Sequence, residues 1–168
     1  MSRLLERLRK YQDNRGMMAN LKCILVPAKK HRAWPILSRI GVKLTKEDEV
    51  SAIVAGLYAM HPAETQEGNM GNTCKNIEWQ KGESRGEESK ISPTERRFQH
   101  LLAAEKGNEL YERIIRMILL AKSMSIAVNY ERLEIDLKFW NDRTKTEWAA
   151  SFWAPEVDST LIESSEGE

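Results

Sequence analysis

The chain has 168 residues, 41% of them apolar and 30% charged, with a formal net charge of +1. That length serves one domain or two small ones, burying roughly 68–70% of the extended surface, and the apolar share excludes a chain disordered throughout. No apolar run approaches about 18 residues and no signal-peptide pattern is present, so a soluble cytoplasmic protein is expected. Cys23 and Cys74 are isolated and make neither a metal pair nor a disulfide framework, which fits a reducing compartment.

Helical periodicity runs from the start of the chain. Leu4, Leu5, Leu8 and Tyr11 share one face of a first helix, with Arg3, Arg7 and Lys10 outside it. Arg15 and Gly16 introduce a second short helix carrying Met17, Met18, Leu21 and Ile24; Lys22 is off this seam and Pro27 breaks it. After the basic run Lys29-Lys30-His31-Arg32, the residues Trp34, Leu37 and Ile40 are expected to anchor a further turn or two, with Gly41 as the C-cap. Thr45-Lys46-Glu47-Asp48 reads as another helix start. Val50, Ile53, Val54, Leu57, Tyr58 and His61 then fall on one face, with Ala52, Ala55, Gly56 and Ala59 opposite, which predicts a sandwiched helix ended by Pro62. A short helix over about residues 72–79 can dock through Ile77, and residues 80–90 read as a mobile linker.

The second half opens on Ser92-Pro93-Thr94-Glu95, where Ser92 caps, Pro93 occupies N1 and Glu95 is placed to close a capping box. Phe98, Leu101 and Leu102 share one face of that helix. A helix from about Asn108 to Lys122 is apolar nearly all round, leaving Glu112, Arg113 and Arg116 as a narrow polar wedge, so it is expected in the middle of a bundle. A third helix is capped by Asn129 and runs through Tyr130, Leu133, Leu137 and Trp140. Asp142 is expected to cap a fourth, packed through Trp148, Ala149, Phe152 and Trp153 and stopped by Pro155. The predicted fold class is all-α: two small packed helical bundles joined by a flexible linker. Residues 1–79 form the basic N-terminal bundle, 80–90 the linker, 91–155 a C-terminal four-helix bundle, and 156–168 a disordered acidic tail.

The near-neutral total conceals a strong asymmetry. Residues 1–43 carry 11 Lys or Arg against Glu6 and Asp13, whereas the tail from Glu156 onward has five acids and no base. A concentration of positive charge of this kind is the footprint a polyanion meets. Catalysis has little support: His31, His61 and His100 belong to no HExxH or HxH arrangement, and no serine or cysteine has a nucleophile context. Gly68-Asn-Met-Gly71 lacks the GK[ST] of a phosphate loop. Glu131, Glu134, Asp136 and Asp142 invite a metal site, but a helix needs a solvated face in any case and no histidine motif accompanies them. No enzyme activity, cofactor or metal is therefore expected. Arg15, Lys22, Lys29, Lys30, Arg32 and Arg39 are candidates for phosphate contacts, which need positive charge at backbone spacing. Arg96, Arg97, Arg113, Arg116, Arg132 and Arg143 are weaker candidates, since each has a competing role as a surface or ion-pair residue. The tryptophans read mainly as core anchors, with no aromatic ladder for stacking bases.

Three segments carry a family resemblance: Arg96-Arg97-Phe98-Gln-His-Leu101-Leu102; Asn129-Tyr-Glu-Arg-Leu133-Glu-Ile-Asp136-Leu137-Lys-Phe-Trp140; and Trp148-Ala-Ala-Ser-Phe152-Trp153. With Leu57-Tyr-Ala-Met-His61-Pro62 and the Gly71 loop before them, they resemble the CasB-type small-subunit family of the type I-E CRISPR surveillance complex Cascade. The resemblance covers most of residues 50–153. It implies an all-helical, non-enzymatic antiviral-defence subunit, two copies of which touch head to tail beside the backbone and large subunits. It also implies partners in guide RNA (crRNA) and target DNA, including the displaced strand, and no membrane. Lys22, Arg96 and Arg97 fall within matching segments; Lys29, Lys30 and Arg32 rest on local charge. The alternative reading is a helical adaptor whose basic region meets only acidic protein partners.

Overall fold

The computed structural model describes residues 2–83 and 90–155, and within them the chain is all-α. Nine helices follow in order: α1 (Arg3–Lys10), α2 (Arg15–Lys22), α3 (Trp34–Arg39), α4 (Glu49–Met60), α5 (Met70–Gln80), α6 (Pro93–Ala103), α7 (Asn108–Ser123), α8 (Tyr130–Lys138) and α9 (Asp142–Trp153). Single 3-10 turns lie at Cys23–Leu25, Lys30–Arg32 and Lys46–Asp48. The central part of the expected linker, residues 84–89, and the expected acidic tail, 156–168, lie outside the described residues.

Short polar side chains set most helix starts, because the first backbone N–H groups of a helix have no partner within it. Ser2 Oγ accepts from Leu5 N, Asn14 Oδ1 from Met17 N, Ser92 Oγ from Glu95 N and Asn129 Oδ1 from Arg132 N. Asn69 and Asn72 form a reciprocal capping pair at the start of α5. Three expected starts differ in detail. Glu95 does not close a box: its carboxylate accepts from Trp153 Nε1 at 3.0 Å. Asn141 caps α9 through Thr144 N, which leaves Asp142 as the first helical residue. Thr45 caps nothing; Asp48 accepts from Lys43 N at 2.8 Å and α4 begins one residue later.

The expected sandwiching of α4 is observed. It packs against α1, α2 and α8 and buries Val54, Leu57 and Tyr58 on one side with Ala55, Gly56 and Ala59 on the other. At Gly56 a Cβ would collide with Ile24 and press on Leu25, so the glycine is what lets the turn after α2 close against α4. The α5 helix, grouped by sequence with the first half, packs most extensively on α9 and also on α6 and α7. Gly71 makes that possible, since a Cβ there would run into the backbone carbonyl of Trp148. Buried apolar side chains from both halves form one continuous cluster.

The tryptophans divide. Trp148 is fully buried and Trp140 packs against it with its Nε1 donating to Ala104 O, in the joint after α8 and not on the helix as expected. Trp34 and Trp79 do not anchor the core: they are 42% and 68% exposed, and α3 is held instead by Ala33, Leu37 and Ile40.

Gly71→Ala is expected to destabilise the chain by about 1–3 kcal/mol, because the opposing atom is backbone and not a movable side-chain tip. Chemical denaturation of the purified chain measures this, with wild-type stability as the contrary result.

Candidate nucleic-acid interface

Two groups stand out among the 11 basic residues of the first 43 positions once their partners are known, with Arg3, Lys10 and Lys43 exposed outside both. Arg7 and Arg9 are consumed by the fold. Arg7 Nη1 donates to Ile40 O at 2.6 Å, satisfying a carbonyl at the end of α3, and Gly41 beside it takes φ +84° where a side chain would meet the guanidinium. Arg9 grips Glu64 with both Nε (3.0 Å) and Nη2 (2.9 Å), and Nη2 also reaches Glu131 at 3.1 Å. The hydrogen bond to Glu64 raises its pKa further, against the desolvation it suffers. This planar two-pronged arrangement is one that lysine does not reproduce.

Arg15, Lys22, Lys29, Lys30, Arg32 and Arg39 form the second group. All six are exposed, and none makes a side-chain hydrogen bond or ion pair with another described residue. The elements that carry them, α2, α3 and the two 3-10 turns between, pack on one another, so these cations are gathered in one helical lobe against α4. Exposed lysines and arginines without carboxylate partners keep their full charge available to an external anion.

Candidates in the second half are more varied. Arg96 and Arg97 are exposed on α6 and Arg116 on α7, also without described partners. Arg113 reaches Glu109 at 3.5 Å. Arg132 sits between two carboxylates, with Nε 2.9 Å from Asp136 and Nη2 2.6 Å from Glu147; Arg143 meets the same Glu147 at 3.3 Å. Arg132 therefore helps join α8 to α9, Arg143 pairs within α9, and the charge of both is matched locally.

The four carboxylates that invited a metal reading have other occupations. Glu131 accepts from Arg9, Glu134 from Ser2 and Lys138, and Asp136 from Arg132 and Trp148 Nε1 at 2.7 Å, while Asp142 starts α9. Among the described residues no three His, Cys, Asp or Glu side chains gather as a metal site. His61 is buried, with Nε2 donating to Ile126 O at 2.6 Å. Burial pushes the Cys74 thiol well above its ordinary range, so it is not held as a thiolate. Among the described residues, no helix is long and apolar enough to cross a membrane.

What remains is an all-helical protein whose polar side chains mostly fasten helices together and which carries, among its described residues, six unmatched cations on one lobe and further ones on α6 and α7. The profile of the CRISPR-associated protein Cse2 matches residues 7–153, and the chain belongs to that family, the CasB-type subunits of Cascade. No curated protein sequence matches the chain. Solved structures share its fold. The Cse2-family CRISPR-associated protein of Thermus thermophilus is 20% identical with a TM-score of 0.72, over 91% of this chain and 97% of that one. CasB from M. ruber is 20% identical with a TM-score of 0.68, over 100% and 99% of the two chains. CasB from Thermobifida fusca is 18% identical with a TM-score of 0.63, over 90% and 96%.

Charge counting along the sequence treats the bases of the first 43 residues alike and misses that Arg7 and Arg9 are held by the fold. Nothing local distinguishes Arg9 from Lys10; the difference is made by Glu64 and Glu131, which lie 55 and 122 positions away.

Two outcomes follow from this assignment. Arg9→Ala is expected to cost about 1.5–3 kcal/mol because it strands two half-buried carboxylates, whereas Lys29→Ala, Lys30→Ala and Arg32→Ala each stay within about 0.5 kcal/mol of wild type. Urea unfolding of the four variants checks the contrast. Asp136 is the pH-sensitive member: burial raises its pKa despite the Trp148 and Arg132 hydrogen bonds that lower it. As pH rises, the unfolded chain gives up this proton before the folded one. The group's stabilisation is thus full below the ordinary aspartate range, about pH 3.9, and is lost as pH climbs through the raised folded value. Asp136→Asn should flatten that fall when the unfolding midpoint is followed upward from about pH 3.5.

Proposed function

We propose that this Cascade subunit is non-catalytic and stabilises the guide RNA and target DNA assembly of a type I-E complex, above all the displaced DNA strand, through its free cations. The observation that carries this reading is the group Arg15, Lys22, Lys29, Lys30, Arg32 and Arg39: charged, exposed, unmatched by described carboxylates and held on one packed lobe. Arg96, Arg97 and Arg116 extend the same chemistry on the second half.

Exchange of a DNA duplex for an RNA–DNA duplex is nearly balanced in base-pairing energy, so a few phosphate contacts to the displaced strand are enough to tip it. Contacts of this kind need no sequence information and no bond-breaking group. Each neutralised phosphate of a single strand releases counterion, giving about 0.7 in the slope of log affinity against log salt. In this reading two copies of the chain lie along the backbone beside the large subunit, and cleavage belongs to another protein.

The test is target binding by the assembled, guide-loaded complex carrying Lys29→Glu, Lys30→Glu and Arg32→Glu together. Weaker binding is expected, with a salt slope reduced by about two for the three lost contacts and the subunit still incorporated. Unchanged affinity and slope would reject the surface. Loss of subunit incorporation with guide and target removed by nuclease would instead favour an adaptor meeting acidic protein surfaces.

A further inference from the structure

An indole stands open beside the densest run of free charge. Trp34 follows Lys29, Lys30, His31 and Arg32 within six residues, and 42% of its surface is exposed although the chain buries Trp148 completely. Its backbone is not loose. Ala33 and Leu37 on either side are fully buried, and α3 is fixed at its far end by the Arg7 contact to Ile40 O. His31 meets the indole edge-on, with ring centroids 6.4 Å apart and planes crossed at 74°, which steadies the ring without stacking over it. The result is a firmly held aromatic surface that follows three exposed cations within five residues of chain.

An indole left partly in water forgoes hydrophobic gain that its full burial would bring, and the run of cations just before it makes an apolar protein partner a poor occupant. Single-stranded nucleic acid matches both features at once: its phosphates answer the lysines and arginine, and its unpaired bases have flat faces that stack on an aromatic ring whatever their sequence. Duplex DNA offers no such face, because its bases are already stacked. We infer that Trp34 is a stacking platform for a base of unpaired nucleic acid, which Lys29, Lys30 and Arg32 hold by its phosphates. This rests on the proposed function and deepens it, since it assigns the lobe a contact specific for unpaired strand.

The assembled, guide-loaded complex provides the test, with pre-opened targets so that strand opening does not enter the comparison. The displaced strand is either all thymidine or an abasic backbone of equal length and charge. Wild-type complex is expected to hold the thymidine target about 5- to 150-fold more tightly than the abasic one. Trp34→Ala should lose most of that ratio while keeping its salt slope, and Trp34→Phe should retain most of it. The ratio is taken within one protein, so any loss of folded material cancels. A Trp34→Ala complex with the wild-type ratio overturns the platform. A wild-type ratio near one with a steep salt slope also overturns it but leaves the phosphate reading standing, whereas a flat salt slope defeats that reading itself.

Discussion

The register of the two halves is fixed by the five residues that follow α4. The His61 carbonyl, left over at the end of α4, lies 2.5 Å from the Tyr130 hydroxyl of α8, and the Leu57 carbonyl, which also accepts from His61 N, lies 3.3 Å from it. His61 Nε2 donates to Ile126 O, Val128 N to Ala63 O and Thr65 N to Val128 O, which makes the isolated bridge between residues 64 and 128. Glu64 then turns its carboxylate to Arg9 of α1, and Glu131 of α8 completes the cluster. Backbone groups that end a helix or leave a loop must find partners once buried, and here each half satisfies the other. The cluster therefore ties α1, α4 and α8 together at one point.

That constraint explains why the charge of the first 43 residues cannot be read as a single surface. Two arginines are engaged in satisfying a helix end and a pair of carboxylates, whereas Arg15, Lys22, Lys29, Lys30, Arg32 and Arg39 stay outside and pair with no acid among the described residues. On α8 and α9 the opposite holds. Arg132 and Arg143 are tied to Asp136 and Glu147, and Lys138 to Glu134, so the α8–α9 face presents matched charge. Basic character is thus partitioned by the fold into a structural share and a free share, and only the free share is available to phosphate.

Much of the helical plan was legible from local sequence. Ser92 and Asn129 act as the caps their positions predict, the two-faced pattern of α4 gives its sandwiched place, and the apolar girdle of α7 buries Leu110, Ile114, Met117 and Ile118. These features depend on spacings of three and four residues, which the sequence displays directly. The remainder depends on distant partners. The pairing of Arg9 with Glu64, the docking of α5 on α9 through Gly71 and the orientation of Trp34 all involve contacts whose sequence separation carries no periodic signal. Trp34 had one local sign, its position directly after four residues capable of positive charge, but its spacing to Leu37 and Ile40 gave an equally good core pattern. The buried Ala33 resolves the choice: it, and not the tryptophan, faces inward at the start of α3.

The central claim is that the free cations of the basic lobe meet the displaced strand inside the assembled complex. Photoreactive thymidines placed along that strand, followed by mass spectrometry of the crosslinked peptides, test it most directly. The account predicts crosslinks on this subunit within residues 15–39, where the unmatched cations and Trp34 lie. Crosslinks confined to other subunits, from every position of the strand, would contradict it.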